Sequence, residues 1–92
     1  MINALAIEKE VVDKLHFPVE DVLKSSEDKQ RRRQMLRRAS ILGNLDRTKT
    51  RIKFKDNEGL KEVNTTIWAV TPNYVILKGA RLLPLHRVIS TH

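Results

Sequence analysis

The sequence predicts an α+β fold in which N-terminal helices precede a five-stranded antiparallel small barrel. Three observations predict it. Apolar residues recur at helical spacing in the first part of the chain, then switch to alternation from Thr48 onward. Five short strand-like runs separated by tight turns fit within residues 48–92. The second run slips in phase partway along, as happens where one bent strand serves two sheets.

The elements follow in order. Between Asn3 and Leu15, Ala4, Ile7, Val11 and Leu15 fall on one side of a helix, with Leu5 and Val12 beside them. Phe17-Pro18 ends it, because the residue before proline is pushed out of the helical region. Pro18 then suits the first position of a short helical turn to Lys24. Ser25 is placed to cap a longer helix with Asp28 in its first turn, and Gly43-Asn44 supplies the stop. The apolar stripe of that helix is Met35, Leu36, Ala39 and Leu42.

Thr50, Ile52 and Phe54 then alternate with Lys49, Arg51, Lys53 and Lys55, the pattern of a strand with one buried and one wet face. Asp56-Asn57-Glu58-Gly59 makes a turn. A longer strand runs from Leu60 to about Thr71 and bends near Thr65-Thr66. Tyr74 to Lys78, Leu82-Leu83 and Val88 to Thr91 complete the set, with Pro72-Asn73 and Gly79 at the turns.

Composition bounds the function. The chain has 92 residues, 40% of them apolar, and a net charge of +7. Residues 1–28 hold three Lys against seven acids, a balance of −4, whereas residues 29–38 stand at +6 and residues 39–92 at +5. This divides the chain into an acidic helical arm, 1–24, and a basic helix plus barrel domain, 25–92. A basic body concentrates polyanions near its surface, though net charge also serves solubility. The chain has no cysteine, so disulfides and thiolate metal sites are excluded and a cytoplasmic location is expected. The apolar run Ala4 to Ile7 is too short for a signal-peptide core or a membrane span.

Leu36-Arg37-Arg38, Asn73-Tyr74-Val75-Ile76-Leu77 and His86-Arg87-Val88-Ile89-Ser90-Thr91 resemble the Sm-like barrel family in its bacterial RNA-chaperone, Hfq-like branch. The likeness covers roughly half of residues 30–92. It implies a ring oligomer and RNA binding, with Tyr74 stacking on a base, Asn73 supplying an amide, Arg37 and Arg38 forming a basic rim, and His86 or Arg87 standing near a basic pair. The sequence departs from the family in a longer loop before the first strand and in Thr65-Thr66, where the family bends its second strand with glycine. Leu83-Pro84 is similar to Src-homology-type barrels, whose aromatic ligand groove is missing here.

Read from the residues themselves, Lys49, Arg51, Lys53 and Lys55 point one way at intervals of about 7 Å, near the phosphate spacing of an extended single strand. Lysines on an exposed strand also protect an edge from aggregation. Arg31 to Arg33, with Arg37 and Arg38, suit a polyanion-facing helix, or else pair with the acids of residues 8–28. Trp68 and Tyr74 offer faces on which bases stack, although Trp68 is expected in the core. His16, His86 and His92 are too scattered for a metal site. No nucleophile elbow, phosphate-cradling glycine loop or carboxylate pair in an apolar run is present, so no catalysis and no cofactor are expected. The expected function is sequence-tolerant binding of single-stranded nucleic acid, RNA foremost. A protein-interaction or homo-oligomerisation module, using barrel edges and the apolar stripe of residues 4–15, is the alternative.

Overall fold

A computed structural model describes residues 4–92. The part of the arm and of the predicted first helix that falls on residues 1–3 lies outside the described residues. The fold is α+β: one long helix, α1 (Ser26–Asp46), and seven strands in two sheets. The strands are β1 (Leu5–Ile7), β2 (Thr50–Lys55), β3 (Leu60–Thr65), β4 (Ile67–Val70), β5 (Tyr74–Leu77), β6 (Arg81–Pro84) and β7 (Val88–Thr91). One sheet has the order β1-β3-β2-β7 and the other β4-β5-β6.

The alternation of residues 50–55 becomes β2. Ile52 and Phe54 are fully buried, while Arg51 and Lys55 are exposed and Lys53 is half-buried. The bend is where the phase slip places it: β3 ends at Thr65, Thr66 lies between, and β4 starts the second sheet at Ile67. The inner faces meet in one core of Ile52, Phe54, Val63, Ile67, Val75, Leu77, Leu83, Leu85 and Val88, joined by Leu36 from the helix and Val12 from the N-terminal segment. Apolar burial of this kind drives the fold, at about 25 cal/mol per Å².

The strands do not close into a barrel: the order runs β7-β2-β3 and, through the bend, β4-β5-β6, and no pairing joins β6 to β7, which the 3₁₀ turn Leu85–Arg87 separates. Helix α1 packs against β4 and β7. Its polar side chains satisfy the free carbonyls: Arg32 Nη1 donates to Val88 O at 3.1 Å, Arg33 Nη2 to Pro72 O at 3.2 Å and Asn44 Nδ2 to Trp68 O at 3.2 Å. A 3₁₀ segment, Lys9–Lys14, packs beside β6, and its Val12 is 1% exposed. Asp13 there is ion-paired with Arg81 of β6.

The predicted N-terminal helix over residues 3–15 is therefore replaced by β1 and this 3₁₀ segment. β1 pairs parallel to β3, Ile7 opposite Val63. Ile7, Val11 and Val12 are poor helix formers, and the free edge of β3 gives the backbone a ladder that an isolated helix would lack. The helical turn predicted at Pro18–Lys24 does not form either. There Asp21 Oδ1 accepts from Leu23 N at 2.8 Å, an Asx-type turn, and Val22 N donates to His86 O at 3.0 Å.

Helix α1 starts as expected, with Ser25 Oγ accepting from Asp28 N at 3.1 Å, but it runs past Gly43 to Asp46 and ends on Arg47 in the left-handed conformation, φ 56°. Its buried face is Arg32, Leu36, Ser40 and Gly43, so Met35 and Leu42 of the expected stripe remain exposed. Gly43 is a contact point, not a stop: a Cβ there would lie 2.7 Å from Ile67 O and 3.0 Å from Thr66 Cγ2. Gly43→Ala should lower stability by about 1–3 kcal/mol in urea unfolding, because overpacking against backbone outweighs the better helix propensity of alanine. An unchanged or raised midpoint would contradict this packing.

Candidate functional site

Each candidate cation can be placed by what its charged end already holds. Among the described residues, Lys49, Arg51, Lys53 and Lys55 make no ion pair. Arg51, Lys53 and Lys55 alternate along one side of β2, with Lys49 just before the strand; Lys53 is half-buried and the other three are exposed. Cross-strand neighbours on that face are Asn64 opposite Arg51, and Glu62 and Ser90 flanking Lys53. The row thus has Glu62 beside its centre, while at its end Lys55 shares a depression with Glu20 and Asp21, whose carboxylate is held by Arg32. Arg51, Lys53, Glu62 and His92 line a shallow depression of about 380 Å³ on this sheet.

The helix arginines divide. Arg37 and Arg38 are exposed, but α1 packs chiefly on β4 and β7, so they are not brought into the β2 row. Arg32 is 5% exposed and grips Asp21 with two bonds of 2.8 Å. That contact holds the Asp21 carboxyl at about 2, through Arg32 first and through the Leu23 N–H, against the opposing effect of burial. Arg31 pairs with exposed Asp28 at 3.5 Å. Part of the arginine cluster therefore serves the acidic segment and the sheet edges.

His86 and Arg87 are tied to the backbone. His86 Nε2 donates to Pro18 O at 2.9 Å. Arg87 is 7% exposed and donates from Nε to Lys55 O at 2.9 Å and from Nη1 to Glu20 O at 2.7 Å. Arg87 thereby pins the 20–24 segment to the end of β2, and its guanidinium has little left to offer a ligand. Asn73, Tyr74 and His86 do come together, in a cleft with Phe17, Val19 and Pro84. Tyr74 is 42% exposed there.

Trp68 overturns the expectation of a core residue, being 45% exposed. The pairing of β4 with β5 explains it. Ile67 faces Leu77 and Ala69 faces Ile76, so Trp68 is the extra residue of a bulge, which re-aims its side chain outward. It lines a cleft of about 380 Å³ with Gly43, Asn44, Arg47, Lys49, Thr66 and Lys78. Sequence reasoning missed Arg47 and Lys78 as partners of Lys49; the phase slip at Thr66–Trp68 was the available signal. Among the described residues no group of three His, Asp or Glu could hold a metal ion, and no helix is long and apolar enough to cross a membrane. Compared with protein families, curated proteins and solved structures, the chain matches none.

Proposed function

We propose that this chain binds single-stranded nucleic acid, RNA foremost, through its backbone and with little sequence preference. The observation that carries the reading is the β2 row: Arg51, Lys53 and Lys55 alternate on one side of the strand, Lys49 stands just before it, and among the described residues none of the four has an ion-pair partner. Unpaired cations at about 7 Å intervals suit successive phosphates, and each engaged side chain releases about 0.7 counterions from a single strand. The resemblance of residues 73–77 and 86–91 to the RNA-chaperone branch of Sm-like barrels points the same way, although Arg87 and His86 spend their donors internally. Lys53→Gln with Lys55→Gln should weaken binding similarly for all sequences and flatten the salt dependence by roughly one to two units of slope. The fold should survive, since Ile52 and Phe54 hold the inner face. An unchanged slope would remove the row from the interface.

A second reading, association with a protein or another copy, is favoured by the outer side of the β4-β5-β6 sheet. There Ala69, Ile76 and Leu82 form one cross-strand row beside Tyr74 and Pro84, with Tyr74 and Leu82 exposed. A mass that rises with concentration and falls on Leu82→Lys would support it.

A further inference from the structure

We infer that the Trp68 cleft is a nucleotide-binding subsite, in which an unpaired base of a single strand stacks on the indole while Arg47, Lys49 and Lys78 take its phosphates. The inference rests on the nucleic-acid reading above and names the site that grips a base, where the β2 row grips only the backbone.

Four features carry it. Trp68 is the chain's only tryptophan, and it stands 45% exposed although a large aromatic ring gains most from burial. Three cations share the cleft and no carboxylate lines it. Among the described residues, none of the three cations is ion-paired. The polar groups between them are already engaged: Asn44 Nδ2 donates to Trp68 O, and Thr66 Oγ1 donates to Arg47 O at 3.3 Å. Those bonds, with the close approach of Gly43 to Ile67 O, fasten helix end to strand, so the walls are set before a ligand arrives. Binding then avoids part of the ordering cost.

The volume, about 380 Å³, is in the range of pockets that hold small ligands, roughly 300–1,000 Å³. A flat ring over cations is the common design of sequence-tolerant single-strand binding, since every base has a face to stack. Lys49 belongs both to the cleft and to the start of the β2 row, so one strand can run from the cleft along β2. An apolar peptide would not need three cations, and a bare phosphate would not need the indole.

The test uses the full chain and a fluorescein-labelled oligouridylate, following label anisotropy and Trp68 emission in one titration. Binding should quench Trp68 with the same midpoint as the anisotropy. Trp68→Ala should weaken binding roughly 5- to 100-fold with the salt slope unchanged, and Lys78→Gln should reduce the slope by about 0.7. Far-UV circular dichroism checks that both variants remain folded. Anisotropy that rises with no quenching, together with undiminished binding by Trp68→Ala, overturns the cleft and leaves the β2 row standing. No anisotropy change at low salt overturns both.

Discussion

Asp56→Ala should cost about 3–5 kcal/mol of stability, a third or more of what a domain this size possesses. Asp56 sits in the β2–β3 turn with a fully buried carboxylate. Oδ1 accepts from the N–H groups of Glu58 and Gly59 at 2.9 and 3.0 Å, and Oδ2 meets Lys61 Nζ at 2.7 Å. Lys61 is itself 8% exposed. Removing the carboxylate leaves an ammonium buried without a close partner, because Glu58 lies 3.8 Å away on an exposed side chain. It also frees two backbone donors in the turn. Lys61→Met should restore part of the loss in the Asp56→Ala background, since an apolar chain of similar length removes the stranded charge. Urea unfolding of the four proteins of this cycle measures the coupling; additive losses would mean the pair is not coupled.

Asp21→Ala should cost about 3 kcal/mol for the same reason, with Arg32 as the stranded charge. The loss is placed lower because the Asp21 side chain keeps 22% of its exposure, so water can partly replace it. The pH dependence follows from both aspartates. Asp21 titrates at about 2 instead of 3.8. Burial pushes the Asp56 carboxyl up, but the Lys61 ammonium and the two turn N–H groups outweigh it and hold it below the usual carboxylate value. A carboxylate with a depressed folded pKa stabilises fully above its unfolded value and loses that contribution as pH falls through the folded one. Stability should therefore be level near neutrality and decline from about pH 4 downward, with Asp21 contributing about 2 kcal/mol of the decline. Asp21→Asn should flatten that limb. An acid limb of equal steepness in the variant would contradict the assignment.

How much of this was legible depended on whether the pattern was local. The alternation of residues 50–55 and the slip at Thr65-Thr66 are written in consecutive residues, because burial of one sheet face repeats every second position. β1 left no such trace: Leu5–Ile7 pairs in parallel with β3, more than fifty residues away, and its apolar spacing also satisfies a helix. Arg32 was expected on a charged surface because it stands in an arginine run, and Arg87 near a basic pair through the family likeness, whereas here both guanidinium groups fill sheet-edge and loop carbonyls from inside. Gly43 looked like a helix stop because glycine is the usual residue there; the close approach of Ile67 O is a tertiary fact. That the two sheets stay open was unforeseeable in the same way, since strand count says nothing of whether β6 pairs with β7 across the turn Leu85–Arg87.

The central claim is that the four cations of the β2 row track a nucleic-acid backbone. Its most direct measurement is the wild-type affinity for oligouridylate and oligoadenylate as salt is raised. Measurable binding at low salt is expected, similar for both sequences, with a log–log plot that falls linearly at a slope of about −3 from the four cations of the β2 row at about 0.7 counterions each, and about −4 when Arg47 and Lys78 of the Trp68 cleft are engaged as well. Binding that is absent at low salt, or present but indifferent to salt, would contradict it.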